Sequence, residues 1–205
     1  MSDGTPTAGL PRLASYLAAL PGGLDAHPGC LAKGALVRNA FQDHLEVKAR
    51  AAELPHALTR LLVDPPLAGE WIPEVHFVAL FHALNDLLGL DDAAVLVRAR
   101  SRNRTLFEGP TYRILMAVLS PMSLLRFAGK RWATFHRGSD LVVDGAVDEG
   151  VRVRVTFPAG LFDPLILSAF GTAFEAALEL SGARAPRVRL DHVEPGIGHY
   201  LAVWT

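Results

Sequence analysis

The feature that most constrains the fold is a change in hydrophobic periodicity late in the chain. Residues 151–157 alternate strictly between apolar and polar side chains, and a period of two indicates a strand with one buried face. Residues 187–193 alternate again, whereas the segment between them, Pro164 to Leu180, carries its apolar residues at helical spacing. Two strand regions with one helix between them argue against the repeated βαβ units of a parallel nucleotide-binding sheet.

Each alternating segment has a partner strand across a short turn. Leu141 to Val143 precedes the first segment across a turn that contains Asp148-Glu149-Gly150. The segment His199 to Trp204 follows the second across Pro195-Gly196. Glycine and proline at these points favour tight turns. We therefore predict a four-stranded antiparallel sheet made of two hairpins separated by one long helix.

Helical patterns fill the first two thirds of the chain. The clearest pattern runs from Pro73 to Leu90, where apolar residues recur every three or four positions and the proline occupies a first-turn position. Further helices are predicted for segments 10–20, 33–47, 55–62, 93–103, 112–119 and 120–135. The predicted fold class is α+β, with an N-terminal helical layer packed on the four-stranded sheet.

Length and composition fit one globular domain. The chain has 205 residues, of which 50% are hydrophobic and 20% are charged. At this size about 70% of the surface of the unfolded chain can be buried, so the core needs no disulfide or metal for stability. We predict a disordered N-terminus over residues 1–9 and a single domain over residues 10–205.

Charge and cysteine content exclude several classes of protein. The chain carries 20 Lys and Arg against 21 Asp and Glu, a balance that argues against a nucleic-acid partner. Cys30 is the only cysteine, so no intramolecular disulfide can form and a reducing compartment is the simplest. The N-terminal sequence lacks the pattern of a signal peptide, and no apolar run reaches 18 residues. We expect a cytoplasmic protein without membrane insertion.

No catalytic motif stands out in the sequence. The Gly-x-Ser-x-Gly pattern of a nucleophile elbow and the glycine spacing of a phosphate-binding loop are both absent, so the protein is predicted not to be an enzyme. Strict alternation places His192 on the strand face of Val188 and Leu190, and we expect its side chain to be buried against the helices. The alternative is an enzyme of unrecognised type that uses His192, His199 and Asp191.

Aromatic residues gather on the last two long helices of the predicted fold. Large rings from two helices above a sheet can line a cavity for an apolar ligand. Together with His192, the candidate ligand-binding residues are Phe127, Trp132, Phe135, Phe170 and Phe174.

A run of arginines and the mean hydropathy of the chain both bear on possible partners. The arginines at 98, 100, 102 and 104 predict either a solvated helix face or a patch for an anionic ligand or partner. The mean hydropathy of +0.25 exceeds what a simple polar-coated domain needs, and a pocket or an oligomer interface would absorb the surplus apolar surface. A homodimer or a complex with a protein partner is the corresponding prediction.

Several short motifs carry a resemblance to a known group of proteins. They are Lys33-Gly34, Trp71-Ile72-Pro73, Ser120-Pro121 with Lys130-Arg131-Trp132, and the closing Tyr200-Leu201-Ala202-Val203-Trp204. These segments resemble a family of similar length from myxobacteria. That family is similar in plan to the H-NOX, 4-vinyl-reductase-domain and TRAPP tethering-subunit group, in which helices precede a four-stranded antiparallel sheet interrupted by one helix.

The resemblance implies a pocket between the sheet and the helices, which holds heme in H-NOX proteins and an acyl chain in some TRAPP subunits. On that basis His136 would be an axial heme ligand. The Tyr-x-Ser-x-Arg motif of H-NOX proteins is absent, as are the cysteines of the 4-vinyl-reductase group. Our leading hypothesis is a non-enzymatic regulatory or scaffolding module in signalling that binds a small apolar molecule or a partner protein. No cofactor is predicted; the alternatives are a heme-binding sensor and a bound acyl chain.

Overall fold

The computed structural model describes residues 9–41, 45–109, 112, 114, 118–147 and 150–205. Apart from Gly9, the predicted disordered segment 1–9 lies outside these ranges, as does half of the predicted helix 112–119. The chain divides into two compact units, one of residues 1–91 and 135–137 and the other of residues 92–134 and 138–205. The single domain over residues 10–205 stays a prediction.

The first unit contains short helices and a small sheet. Its strands are too short for an alternating pattern to show in the sequence, and this sheet was not predicted. The helices are α1 (Pro11–Ala19), α2 (Gly34–Phe41), α3 (Leu45–Ala49), α4 (His56–Val63) and α5 (Glu74–Leu87), the 3₁₀ turns are Gly23–Asp25 and Ala51–Glu53, and the strands are β1 (Leu31–Lys33), β2 (Trp71–Pro73) and β3 (His136–Arg137). Antiparallel pairing gives the strand order β2-β1-β3.

Helix α5 forms the core of the first unit. All its residues are buried except His76 and Asp86, as expected of a helix that is apolar on every side. Asp86 Oδ2 accepts hydrogen bonds from the backbone amides of Arg12 and Leu13 at 2.9 and 3.1 Å. Helix α1 has no side-chain cap of its own, so Asp86 satisfies two of its unpaired first-turn amides.

The second unit contains the larger sheet. The helices are α6 (Asp92–Glu108), α7 (Pro121–Phe135, whose last residue lies in the first unit) and α8 (Pro164–Leu180), and the strands are β4 (Asp140–Val147), β5 (Gly150–Thr156), β6 (Arg187–Glu194) and β7 (Ile197–Val203). The strands pair antiparallel in the order β4-β5-β7-β6, which confirms the α+β class and the two hairpins separated by one long helix. In the described part of the chain, no helix is both long and apolar enough to cross a bilayer.

Helix α8 covers one face of this sheet, here called the inner face. Tyr200 on β7 is 1% exposed, and its hydroxyl donates a 2.9 Å hydrogen bond to the Leu167 carbonyl on α8. Burial raises the pKa of the Tyr200 hydroxyl far above its usual range. Asp163 begins the helix by accepting from two first-turn amides. The opposite face of the sheet, here called the outer face, carries the polar side chains of β5.

Two of the predicted arginines join α6 to α8. Arg100 donates to Glu175 at 2.6 Å and to Glu179 at 3.0 Å. Arg104 donates to Glu179 at 3.1 Å and to Glu108 at 2.8 Å. These two members of the arginine run therefore hold one helix against another within the second unit.

Both edge strands of the sheet carry a bulge. Register shifts occur between Val143 and Gly145 on β4 and between Leu190 and His192 on β6, so Asp144 and Asp191 are the extra residues. Because one extra residue reverses the alternation, His192 lies opposite His199 rather than on the face of Leu190. The prediction that His192 is buried against the helices is wrong, since its side chain is 53% exposed on the outer face.

Candidate functional site

The outer face of the four-stranded sheet carries an open groove of about 520 Å³. Every residue that lines it belongs to the second unit, and the bulged edge strands β4 and β6 flank it. The residues that line it are Asp144, Val147, Arg152, Val153, Arg154, Arg189, Asp191, His192, His199, Tyr200 and Leu201, of which Val153 and Tyr200 have their side chains buried on the inner face.

The two bulge residues hold two of the three arginines in this groove. Arg154 donates from Nε and Nη2 to the carboxylate of Asp144 at 2.7 to 2.9 Å. That pairing raises the pKa of Arg154 above its ordinary value. Arg189 Nη2 lies 2.9 Å from Asp191 Oδ1. Asp144 therefore pairs across the β4–β5 hairpin, whereas Asp191 pairs with an arginine of its own strand.

Arg152 differs from the other two arginines. It lies on β5 opposite Leu201, its side chain is exposed, and no carboxylate in the described ranges pairs with it. A guanidinium beside two neutralised neighbours leaves an excess of positive charge in this part of the groove. Such a group binds carboxylate and phosphate oxygens through paired hydrogen bonds.

A cluster of imidazoles and carboxylates occupies the β6–β7 end of the outer face. The rings of His192 and His199 stack with centroids 4.0 Å apart and an interplanar angle of 11°. Glu194 Oε1 lies 3.3 Å from His192 Nε2 and 3.5 Å from His199 Nε2. We call His192, Glu194 and His199 the histidine cluster. Sequence reasoning missed Glu194, although its spacing of two from His192 and the Pro195-Gly196 turn place it on the same face.

The structure thus brings together the three residues of the alternative enzyme hypothesis. Asp191 Oδ2 lies 3.7 Å from Nδ1 of His192, and the His199 ring stacks on the His192 ring. Among the described residues that line the groove there is no serine, cysteine or lysine.

The predicted aromatic residues on α7 and α8 contact other rings in the second unit. Trp132 meets Phe170 edge to face with centroids 5.6 Å apart, and Phe170 meets Phe162 in the same way at 5.2 Å. Trp132 Nε1 also donates to Ser139 Oγ at 3.0 Å. Phe174 packs on Tyr200 at 5.5 Å. These contacts build the core between α7, α8 and the inner face.

The remaining predicted residues lie elsewhere. Phe127 is half-buried with the Arg131 guanidinium 5.8 Å from its ring centre. Phe135 is half-buried and belongs to the first unit, while His192 lies on the outer face of the sheet. The six candidates therefore do not surround one site, and ligand binding by the aromatic members stays a prediction.

His136, the candidate heme ligand, is part of a buried pair in the first unit. Its Nδ1 lies 3.1 Å from each carboxylate oxygen of Glu74, and both residues are almost fully buried. A carboxylate at one ring nitrogen is also how proteins orient a metal-binding imidazole. Burial, followed by the charge of Glu74, raises the pKa of Cys30, so that thiol is not an activated nucleophile. The chain thus has an oriented imidazole but lacks the H-NOX motif for the heme propionates.

Comparisons with known proteins give one structural likeness. No family model matches the chain, and no curated protein matches it. An H-NOX protein from S. oneidensis, solved in the Fe(II)NO ligation state, is similar over 83% of this chain and 98% of its own, with 12% sequence identity and a TM-score of 0.47. Membership of the myxobacterial family and the likeness to TRAPP and 4-vinyl-reductase proteins stay predictions.

Proposed function

We propose that the protein is a non-enzymatic module that binds a small organic anion in the groove on the outer face of the sheet. The observation that carries this proposal is Arg152, which is exposed in the groove and has no carboxylate partner among the described residues. The proposal keeps the ligand-binding hypothesis from the sequence but changes the ligand from apolar to anionic.

The chemistry of the groove favours a carboxylate or phosphate ester with an apolar part. Arg154 and Arg189 are neutralised by Asp144 and Asp191, so a ligand that carries one or two negative charges would meet Arg152 first. The side chains of Val147 and Leu201 offer apolar contact beside it. The groove volume of about 520 Å³ lies within the range of small-molecule sites.

The groove offers what the binding of an anion needs, namely the Arg152 guanidinium and apolar contact beside it. We therefore propose a sensor or scaffold whose bound anion changes its interactions with a partner. The homodimer remains a prediction that native mass spectrometry tests directly.

Isothermal titration calorimetry tests the proposal with phenyl phosphate and benzoate as probes, on protein freed of metal beforehand and in a buffer without carboxylate or phosphate. We expect at least one of these anions to bind the full chain, and phenol, the neutral analogue, not to bind. Arg152→Gln should weaken binding at least tenfold, which corresponds to about 1.4 kcal/mol. The matched control Arg60→Gln removes an exposed arginine of α4 and should leave binding unchanged. Absence of binding by both anions, or equal binding by the Arg152 variant, refutes the proposal.

A heme-binding sensor is the second candidate, and the buried pair of His136 and Glu74 favours it. The absorption spectrum of the purified chain after incubation with hemin tests this candidate. A Soret band that shifts on His136→Ala would support heme ligation by this imidazole. A spectrum equal to that of free hemin would remove heme from consideration and leave the anion hypothesis.

A further inference from the structure

The hairpin of β6 and β7 directs three possible metal ligands to one place. Cross-strand pairing sets His192 directly opposite His199, and Glu194 follows His192 by two positions along the same strand. Residues two apart on a strand share a face. The bulge at Asp191 puts this face on the outer side of the sheet, where the side chains are not committed to the core.

The two distances from Glu194 to the imidazoles in the histidine cluster match those between the ligands of a tetrahedral ion. Bonds of about 2.0 to 2.1 Å in tetrahedral geometry separate two ligand atoms by about 3.3 to 3.4 Å. Glu194 Oε1 lies 3.3 Å from His192 Nε2 and 3.5 Å from His199 Nε2, and the three ligand atoms all lie within 4.8 Å of one another. The strands need not move for these three atoms to reach one ion.

Two further observations point to a bound cation. Nε2 of His199 is shielded from solvent and makes no hydrogen bond within the described chain, a state that is rare for a buried polar atom unless something else satisfies it. Asp191 Oδ2 lies 3.7 Å from Nδ1 of His192, the nitrogen that does not face Glu194. At that distance the carboxylate makes no hydrogen bond to the ring, but its negative charge favours a cation bound by the imidazole.

We propose that His192, Glu194 and His199 bind a divalent transition-metal ion, with zinc as the ion whose ligand preference and geometry fit best. Two imidazoles and one carboxylate form a ligand set typical of zinc. The stacked rings must tilt apart so that both Nε2 lone pairs converge, and the 53% exposure of the His192 side chain leaves room for that rotation. This site goes beyond the proposed anion binding and does not depend on it.

Three protein ligands leave a fourth position for water or for an anion from the groove. His192 and His199 both line the groove that contains Arg152, so a carboxylate or phosphate could contact the guanidinium and the metal together. Zinc would then increase the affinity for phenyl phosphate, an effect that EDTA would abolish.

Titration calorimetry with zinc chloride tests the site on the full chain without a histidine tag and without phosphate or carboxylate buffers. We expect one equivalent of zinc to bind, and binding to weaken at least tenfold in both His192→Ala and His199→Ala. Glu194→Gln should also weaken zinc binding. The control His56→Ala removes an exposed histidine of α4 in the other unit and should leave zinc binding unchanged.

Cobalt substitution gives a second readout, because four-coordinate Co²⁺ has strong visible absorption bands. These bands should appear with the wild-type chain and disappear in His199→Ala, while circular dichroism without metal stays the same for both proteins. Absence of zinc binding, or equal weakening by His56→Ala, refutes the proposal. Arg152→Gln should leave zinc binding unchanged, so failure of the metal site and failure of the anion site are distinguishable.

Discussion

Replacing Trp132 with alanine should lower the free energy of unfolding by about 3–5 kcal/mol. The side chain is only 8% exposed, its ring meets Phe170 edge to face with centroids 5.6 Å apart, and its Nε1 donates to Ser139 at 3.0 Å. Burial of the ring, the ring pair and the hydrogen bond all contribute, and all three are lost in the variant.

Two companion variants separate these contributions. Ser139→Ala leaves the indole N–H without its acceptor at a site where Ser139 is 5% exposed, and an unsatisfied buried donor costs about 1–3 kcal/mol. Phe170→Leu keeps an apolar side chain but removes the edge-to-face contact, which contributes about 0.5–1.5 kcal/mol. The remaining loss in Trp132→Ala comes from the apolar area and the cavity left behind.

Urea unfolding followed by circular dichroism at 222 nm measures these differences without relying on tryptophan fluorescence. Val97→Ala is the control, because that side chain on α6 is 71% exposed and its truncation should change stability by no more than about 0.5 kcal/mol. The slope of the unfolding free energy against urea should stay the same in all variants. A loss below 1 kcal/mol for Trp132→Ala would show that the rings line an open cavity, as the ligand hypothesis from the sequence requires.

Two further predictions concern the first unit. Gly34→Ala should destabilise the protein by about 1–3 kcal/mol, because a Cβ atom there would meet the Leu67 carbonyl oxygen. The control is Gly69→Ala, which has open space around the new methyl group. Equal thermal midpoints for the two variants would contradict this prediction. Partial burial lowers the pKa of His76 below its ordinary value of 6.5. The unfolded chain therefore binds a proton more readily, and stability should fall as pH drops below 6.5. His76→Gln should reduce that fall in urea midpoint between pH 7.5 and 5.5, and an identical fall in the variant and the wild type would refute the assignment.

Long periodic segments were predictable from the sequence, whereas very short ones were not. Helix α8 has the predicted bounds, Pro164 to Leu180, because its apolar stripe, its first-turn proline and the Ser181-Gly182 stop all agree. Strands β1, β2 and β3 contain two or three residues each, and a period of two cannot be recognised over so short a stretch. They form because antiparallel pairing satisfies the backbone groups of otherwise irregular segments.

Only part of the candidate site was predicted, because Arg152 and Glu194 were not among the candidate residues and the predicted aromatic residues do not line the groove. His192, His199 and Asp191 were singled out from the sequence, yet His192 was placed on the wrong face because strict alternation was assumed through the bulge at Asp191. One inserted residue moves every later side chain to the opposite face. It was also not predictable that no described carboxylate pairs with Arg152. This follows from the bulge on β4, which places Asp144 beside Arg154 rather than beside Arg152.

The two bulges also determine how the sheet ends. β4 and β6 are its edge strands, and each presents a valine that is 41% exposed, Val142 and Val193. A straight apolar edge recruits strands from other molecules, and a bulge twists the row of free amides and carbonyls out of line. Deletion of Asp144 or Asp191 would therefore remove the carboxylate partner of an arginine in the groove. The same deletion would straighten an edge strand, so the variant should also tend to polymerise through that edge.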